Sequence, residues 1–441
     1  MSNTNNPTSP NCTLVETEEQ LEFFFVENKS VEWMAFDTEF IPEKYYKNKL
    51  CLISVTSPKG NYVIDALKLK RMDGFLRLLE NTRILKITHA GDNDYQILVS
   101  AYGAKIRNIF DTQLAYGFLN SDYPLGLQFL VEKELKIRIK KEELKSDWEN
   151  RPLRDEQLQY AIEDVVSLYP LMKALKAKLK KTGKLLWAME ENNRWENTDY
   201  FNSGSFDLAD TVNGMLGRHL NYRQKVFLLR LYRWRTIEAQ KRNCPLNQVL
   251  KTQFINSIAK NMEAGKTVLL KDRTIPHAVV NQLWPMLERL YNNKITYSER
   301  EMLKHVPKEE NGDAEVSIAM DMLYQVIKLK AVERGISPYM VISRREMSKM
   351  KNDRDYYPAA LDCGWRRELL GDDLLEWLKK RNPIDIRFKN DTCTLTMQDW
   401  KKIKTRLDSS SPKTSMWQTV LQATRRLSNI FSQMGTKTGY M

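Results

Sequence analysis

The sequence is poor in the residues that build thiolate, disulfide and histidine-rich metal sites. Its five cysteines (12, 51, 244, 363 and 393) are scattered and form no CxxC pair, which argues against a zinc site and a disulfide framework. Scattered cysteines of this kind are typical of a reducing compartment, so we expect a cytoplasmic protein. With only four histidines, a histidine-rich metal site is not expected.

Long apolar runs are also missing. No stretch reaches the roughly 18 apolar residues of a membrane span. The opening MSNTNNPTSPNC lacks the basic segment followed by an apolar stretch that marks a secretory signal, so none is expected. The chain has 441 residues, 42% of them apolar and 28% charged. This composition is ordinary for a globular protein, and the length allows roughly two to four domains.

The net charge of +13 is unevenly distributed. Residues 1–200 contain 28 Lys and Arg against 30 Asp and Glu, so the remaining residues carry about +15. A basic surface favours polyanions because binding releases their counterions. The asymmetry therefore suggests an acidic catalytic half and a basic binding half. A generic cationic surface would give the same balance, and net charge alone does not exclude it.

The stretch VEWMAFDTEF, residues 31–40, carries the first candidate chemistry. Its apolar residues predict a buried strand, and Asp37 and Glu39 stand two apart near its end. Side chains at i and i+2 of a strand share a face, so the two carboxylates project together. They repel unless a cation lies between them, and a hard divalent cation is the natural partner. A strand end that reaches solvent is the alternative.

The stretches that follow predict an α/β domain with a mixed sheet. LCLISVT and NYVIDAL flank SPKG and predict a hairpin. After a break at HAG, Asp92 or Asn93 is expected to cap a helix that runs to about Tyr102. Three strands in a meander, followed by alternating helices and strands, indicate the mixed sheet. The other predicted elements are helices over 18–28 and 74–80 and strands over 84–88 and 108–115.

Residues 155–181, DEQLQYAIEDVVSLYPLMKALKAKLKK, have apolar residues at helical spacing. Tyr160 and Asp164 stand four apart, so they lie on one face of the predicted helix. A helix that directs a tyrosine and an aspartate to the same face is suited to carrying functional residues. The alternative is that Tyr160 belongs to the core and Asp164 to a solvated face.

Taken together, these stretches resemble the DEDD 3′–5′ exonuclease superfamily in its tyrosine-containing branch, DEDDy. Its three motifs appear as FDTEF, as HAGDNDYQIL continuing into NIFDTQLA, and as YAIEDVVSLYPLM. SDWENRPL before the third motif, and the order and spacing of all four, resemble bacterial ribonuclease D over about residues 20–200. The resemblance implies an α/β ribonuclease H-like domain with a mixed sheet, followed by all-α HRDC-like domains.

The resemblance also implies the site. It implies five catalytic residues, which are Asp37, Glu39, Asp94, Tyr160 and Asp164. The four carboxylates would hold two divalent metal ions, Mg²⁺ or Mn²⁺, which activate a water and stabilise the departing 3′ oxygen. The Tyr160 hydroxyl would position the attacking water, since its ordinary pKa of about 10 keeps it neutral.

Several residues near the predicted catalytic residues have expected roles that the motifs support less directly. The family spacing HAGxxD selects Asp94, so Asp92 is expected to cap the helix or lie exposed. Asp111 is expected to have an orienting role and not to be a metal ligand. His89 either lies near the substrate or is a hydrogen-bonded structural residue. Trp148 and Arg151 are expected to stabilise the loop before the catalytic helix, with phosphate contact by Arg151 as the alternative.

The basic half resembles helical modules that accompany this nuclease type. WRTIEA and the following Pro-x-x-x-Val-Leu segment resemble the HRDC domain, and MDMLYQVIKLKAVERGISPYMVISRREMSKM resembles a second one. RNA contact and plain surface charge are both open for the basic residues of the first module, which are Lys225, Arg230, Arg233, Arg235, Lys241 and Arg242. The predicted division is a disordered terminus (1–12), the exonuclease domain (13–205), an HRDC domain (215–297), a second HRDC-like domain (316–381) and a disordered basic tail (408–441).

The function implied by the resemblance is a metal-dependent 3′–5′ exoribonuclease that acts on the 3′ ends of tRNA precursors or other structured RNA. RNA is the expected partner, and no obligate protein partner is indicated. A DNA exonuclease of the Werner-helicase type shares the motifs and is one alternative. A non-catalytic RNA-binding relative with a degenerate core is the other, although all five catalytic positions are filled.

Overall fold

The computed structural model describes most of the chain apart from its two ends and several connections. The described residues are 11–42, 44–139, 146–197, 220–304, 314–352 and 356–380, with two strands, Ile384–Lys389 and Thr392–Met397. The predicted tail at 408–441 and residues 1–10 of the predicted disordered terminus lie outside them. Among these stretches, no helix combines the length and the apolar character that a membrane span requires.

A six-stranded mixed sheet forms the centre of the first half. The central strands β2, β3 and β4 are antiparallel, whereas β1, β5 and β6 join their neighbours in parallel. This confirms the predicted meander and mixed sheet. Strand β1 was not predicted, because three residues are too few to show an alternating pattern. The strands, in the order β1-β4-β3-β2-β5-β6, are β1 (Thr13–Val15), β2 (Trp33–Ile41), β3 (Lys49–Ser57), β4 (Gly60–Asp65), β5 (Leu85–Thr88) and β6 (Ile109–Asp111).

Helices of the first half pack against this sheet and against one another. The predicted helix over 18–28 is confirmed as α1, whose first turn is closed by a reciprocal capping box between Thr17 and Gln20. The helices are α1 (Glu18–Asn28), α2 (Asp73–Glu80), α3 (Asp92–Tyr102), α4 (Thr112–Gly117), α5 (Leu127–Leu135), α6 (Asp155–Val166), α7 (Leu168–Lys181) and α8 (Leu185–Asn193).

Two predictions about the segment after β5 are wrong. The strand predicted over 108–115 ends at Asp111, because the Asp111 carboxylate accepts hydrogen bonds from the backbone N–H groups of Gln113 and Leu114 and so starts α4. Neither Asp92 nor Asn93 caps α3. The helix begins at Asp92, and Gly91 in the cap position makes no side-chain hydrogen bond.

The helical stretch over 155–181 is divided into two helices. Helix α6 ends at Val166, and α7 begins at Leu168 after Ser167. Pro170 explains the division, because it has no N–H to donate to the carbonyl of Val166 and disfavours a helical residue before it. Tyr160 and Asp164 both lie on α6, as predicted, and both are buried.

The first helical module has a hydrophobic core of its own. Buried residues between Leu220 and Leu303 form this core, which is separate from that of the sheet. Pro245 directly precedes a short helix. The module consists of α9 (Tyr222–Arg242), α10 (Leu246–Val249), α11 (Thr252–Asn261), α12 (Lys266–Lys271), α13 (His277–Asn292) and α14 (Tyr297–Lys304).

The second helical module shares the core of the exonuclease half. Trp365 is fully buried, and its ring meets that of Phe118 edge to face at 4.9 Å. The Glu191 carboxylate on α8 accepts hydrogen bonds from Trp365 Nε1 at 2.9 Å and from Arg366 Nη1 at 2.6 Å. The module consists of α15 (Ala314–Glu333), α16 (Pro338–Val341), α17 (Arg344–Asn352), α18 (Gly364–Leu370) and α19 (Asp372–Lys380), and the strands β7 (Ile384–Lys389) and β8 (Thr392–Met397) form a hairpin after it.

Candidate active site

Strand β2 carries the first two candidate residues at the centre of the sheet. It pairs with β3 on one side and β5 on the other, so its backbone is fixed on both edges. Asp37 lies opposite Ser54 and Glu39 opposite Leu52, and the register shifts directly after Glu39. A bulge at this position bends the strand where its carboxylates emerge. Both side chains are half-buried.

The carboxylates of Asp37, Glu39 and Asp164 meet at the end of β2. One oxygen from each lies within 4.8 Å of an oxygen from the other two. Helix α6, which carries Asp164, packs across β2, β3 and β4. Three carboxylates and no histidine or cysteine make a donor set of hard oxygens, which suits Mg²⁺ or Mn²⁺. The structure therefore brings together three of the four predicted metal ligands.

Asp94, the fourth predicted ligand, does not belong to this group of three carboxylates. It lies in the first turn of α3, is buried, and accepts a hydrogen bond from the hydroxyl of Thr38. Burial raises the pKa of Asp94 to about 7, and the Thr38 hydrogen bond opposes that rise. Thr38 lies between Asp37 and Glu39 in β2. The only signal for Thr38 in the sequence was its position between two acidic residues.

Asp111 anchors the turn that leads to Asp94. Its buried carboxylate accepts hydrogen bonds from the backbone N–H groups of Ala90 at 3.2 Å and Gly91 at 2.9 Å. Burial raises the pKa of Asp111, while the backbone donors oppose that rise. A Cβ atom at Gly91 would lie 2.8 Å from the ring of Tyr95, so only glycine allows this approach. These contacts agree with the predicted orienting role of Asp111.

His89 forms hydrogen bonds within the protein, whereas Asp92 faces solvent. His89 Nδ1 lies 2.9 Å from Thr112 Oγ1, and Nε2 lies 3.1 Å from the carbonyl of Leu125. Both ring nitrogens thus have protein partners, which favours the structural interpretation of His89. Asp92 is exposed, in agreement with the expectation that Asp94 is the residue directed inward.

Tyr160 lies one turn before Asp164 on α6, and its hydroxyl forms a hydrogen bond with that carboxylate. Burial, followed by the charges of Asp164 and Glu39, raises the pKa of Tyr160 far above its ordinary value. The phenol therefore stays protonated at neutral pH. It can donate a hydrogen bond but is not an anionic ligand.

The loop before α6 is tied to the sheet, as predicted for Trp148 and Arg151. Arg151 donates from Nε to Asp65 Oδ2 at 2.6 Å and from Nη2 to Asp65 Oδ1 at 2.8 Å. Asp65, the last residue of β4, is fully buried and was missed in the sequence. A single acid at the end of the apolar run NYVID was the only local signal. With both carboxylate oxygens paired to Arg151, phosphate contact by this arginine is not favoured.

This combination of a mixed sheet and an acidic site with a neighbouring tyrosine defines a class of phosphodiester-cleaving domains. A family model described as a 3′-5′ exonuclease matches residues 12–180. The chain is 27% identical to a ribonuclease D of Pseudomonas paraeruginosa over 376 residues, 84% of this chain and 99% of the relative. It is 28% identical to a ribonuclease D of Nitrobacter hamburgensis over 345 residues, 78% of this chain and 88% of the relative.

Solved structures show the same fold. Escherichia coli RNase D matches with a TM-score of 0.71 at 22% identity, over 85% of this chain and all of that chain. The catalytic core of RRP6 from Trypanosoma brucei matches with a TM-score of 0.51 at 20% identity, over 66% of this chain and 84% of that one. The first half is thus a 3′–5′ exonuclease domain. Over most of its length the chain is similar to ribonuclease D, with helical modules after the exonuclease domain.

Proposed function

We propose that this protein is a metal-dependent 3′–5′ exoribonuclease that removes nucleotides one at a time from RNA 3′ ends and releases 5′-monophosphates. The observation that carries the proposal is the meeting of Asp37, Glu39 and Asp164 beside Tyr160 at the end of β2. Relatives that align with most of this chain are named ribonuclease D, which supports RNA as the substrate.

The donor set supports divalent-metal use. Asp37, Glu39 and Asp164 offer oxygens within 4.8 Å of one another, and Asp94 is joined to the same strand through its hydrogen bond from Thr38. When bound by these four carboxylates, two Mg²⁺ or Mn²⁺ ions would supply an activated water and offset the charge that develops on the phosphate and the departing 3′ oxygen.

Tyr160 would orient the water that attacks the terminal phosphodiester. A phenol with a raised pKa keeps its proton, so it acts through hydrogen bonding and not as a base. Tyr160 lies one helical turn before Asp164, so its hydroxyl and the Asp164 carboxylate can both contact the attacking water. Burial and the neighbouring Trp148 ring restrict the rotamer of Tyr160, which reduces the entropic cost of orienting the water.

The substrate class that fits an acidic exonuclease domain joined to basic helical modules is structured RNA, such as a tRNA precursor in the cytoplasm. A paired RNA body is recognised mainly through its backbone and shape, which basic helical modules can contact, while an unpaired 3′ end reaches the acidic site. Helix α9 of the first module approaches the nuclease domain closely. Gln240 Nε2 donates to the Tyr46 hydroxyl at 3.0 Å, and Tyr46 lies in the loop that follows β2.

The experiment that tests this function compares matched single-stranded RNA and DNA, labelled at the 5′ end, with added Mg²⁺ or Mn²⁺. A ladder that shortens from the 3′ end on RNA, with nucleoside 5′-monophosphates as products, is the expected result. A ladder of equal rate on DNA would favour a repair nuclease of the Werner type. Binding of RNA without cleavage under any metal would favour a non-catalytic RNA-binding protein.

A further inference from the structure

The loop that enters α6 is fixed by an ion pair whose carboxylate is buried. Asp65 at the end of β4 has no solvent exposure, and Arg151 grips both of its carboxylate oxygens, at 2.6 and 2.8 Å. The rigid fork of a guanidinium matches a carboxylate in this two-point geometry and leaves the pair little rotational freedom. Arg151 Nη2 also reaches the carbonyl of Cys51 on β3, at 3.4 Å. The arginine is therefore attached to two strands of the sheet.

The same guanidinium fixes the backbone of the loop. Arg151 Nη1 donates to the carbonyl of Trp148 at 2.7 Å and to that of Asn150 at 2.8 Å. Trp148 is buried, and the centre of its ring lies 6.0 Å from that of Tyr160, at an interplanar angle of 41°. The contacts run from Asp65 through Arg151 and Trp148 to the tyrosine of the candidate active site.

We infer that Asp65, Arg151 and Trp148 are positioning residues that hold the Tyr160 ring in the orientation needed for hydrolysis. This inference rests on the proposed function, because it assigns a purpose to the orientation of Tyr160. None of the three touches substrate or metal in this role. They act by limiting the rotation of Tyr160 against the strand that carries Asp37 and Glu39.

A second group of contacts on the same loop is too exposed to serve in this way. Glu149 accepts a hydrogen bond from Lys49 Nζ at 2.8 Å and from the Tyr45 hydroxyl at 2.5 Å, and it also pairs with Lys44. The lysine side chains are 61% and 43% exposed. Exposed ion pairs are screened by water and salt and fix geometry weakly. The Arg151–Asp65 pair, in which the carboxylate is fully buried and the arginine is 18% exposed, is therefore the anchor.

The test begins with Arg151→Lys, which keeps the charge beside Asp65 but removes the two-point grip. We expect kcat on single-stranded RNA to fall about 10- to 100-fold, with KM and the affinity for Mn²⁺ changed by less than about threefold. Trp148→Ala should give a similar loss, and Trp148→Phe, which keeps an aromatic ring against Tyr160, should restore most of kcat. Glu22→Gln is the matched control, because it removes a surface ion pair between α1 and α2.

A double-mutant cycle separates positioning from general support of the fold. In a Tyr160→Phe background the hydroxyl to be positioned is gone, so Arg151→Lys should lower single-turnover rates by less than about twofold. An equal loss in both backgrounds would overturn the inference. It would mean that Arg151 supports the fold or another step and does not act through Tyr160.

A readout that does not need activity keeps the two proposals distinguishable. In protein labelled with 3-fluorotyrosine, the fluorine resonance missing from Tyr160→Phe belongs to Tyr160. It should shift or broaden in Arg151→Lys and Trp148→Ala and stay unchanged in Glu22→Gln. An unchanged Tyr160 resonance in Arg151→Lys would overturn the positioning role even in an active enzyme. An inactive wild-type protein whose resonance still responds would instead overturn the proposed function.

Discussion

The hydroxyl of Thr38 donates a hydrogen bond to the carboxylate of Asp94, which joins the strand of the first acidic motif to the helix of the second. The two residues are 56 positions apart in the sequence. Thr38 stands between the two acidic residues of β2, so this bond ties the fourth predicted metal ligand to the backbone that carries the first two.

We predict that Thr38→Val weakens metal binding. Without the hydroxyl, the Asp94 carboxylate loses the donor that joins it to β2, and groups that orient metal ligands typically contribute about 10- to 100-fold in affinity. Titration calorimetry with Mn²⁺ measures this directly, and Thr38→Ser, which keeps the hydroxyl, is the control. Wild-type affinity in Thr38→Val would mean that Asp94 does not need this bond to reach the metal.

The next prediction concerns the carboxylates themselves. Asp37→Asn and Asp164→Asn should abolish metal-dependent cleavage, by at least about 1,000-fold, because a neutral amide cannot replace an anionic metal ligand. RNA binding measured by fluorescence anisotropy should stay close to wild type. Asp92→Asn, which changes an exposed neighbour of Asp94, should leave both values unchanged. Cleavage at a near-wild-type rate by Asp37→Asn would refute the assignment of the site.

The first helical module is predicted to depend on one buried ion pair. Arg230 on α9 donates to Glu299 on α14 from Nε at 2.7 Å and from Nη2 at 2.8 Å, and both residues are buried. Glu299→Gln leaves this arginine without its counter-charge, so the free energy of unfolding of the module should fall by about 3–5 kcal/mol. Urea unfolding of the full chain, monitored through the hydrogen exchange of amides in α9, would measure this loss.

The same pair gives a pH dependence of known sign. The hydrogen bond from Arg230 lowers the pKa of Glu299 to about 2, below its ordinary value of 4.5. The pair therefore stabilises the module fully above about pH 4.5, and this contribution disappears as the pH falls towards 2. The difference in stability between wild type and Glu299→Gln should narrow over that window. A constant difference from pH 7 to pH 3 would contradict the assignment.

Lys86 is predicted to give the nuclease domain a pH dependence of the same sign, at higher pH. It lies on β5 without solvent exposure, and its Nζ donates to the carbonyls of Asn81 at 2.6 Å and Ile84 at 2.8 Å. Burial lowers its pKa to about 7. Above that pH the unfolded chain holds a proton that the folded chain lacks, so the free energy of unfolding rises with pH, by about 2 kcal/mol between pH 7 and 9. In Lys86→Met this part of the rise should vanish, as urea unfolding at the two pH values would show.

The last prediction concerns RNA binding by α9. Lys241 is exposed and follows Gln240, which contacts the loop after β2, so it lies next to the nuclease domain. Lys241→Gln should weaken binding to all RNA sequences alike and reduce the slope of log affinity against log salt by about 0.7. Lys29→Gln, an exposed change at the end of α1, is the charge-matched control. Equal salt slopes in the two variants would show that Lys241 does not contact phosphate.

Local spacing in the sequence was sufficient to place these side chains on shared faces, and the resemblance implied that they form one site. Asp37 and Glu39 at i and i+2, and Tyr160 and Asp164 at i and i+4, share faces because strand and helix periodicity is a property of the backbone. The mixed sheet followed from alternating stretches for the same reason. The split at Ser167 was readable in principle, since Pro170 lacks the N–H that a continuous helix would need.

Tertiary structure alone decided which charged residues have which partners. The sequence left RNA contact and plain surface charge both open for Arg235, yet this residue is buried and donates to the carbonyl of Leu246 and the side chains of Asn247 and Thr252. Asp65 and Arg151, 86 residues apart, meet only because α6 packs across β3 and β4. Such pairs depend on strand register and helix packing, which join distant parts of the chain. Local periodicity fixes the face on which a side chain lies, but not the residue that it meets there.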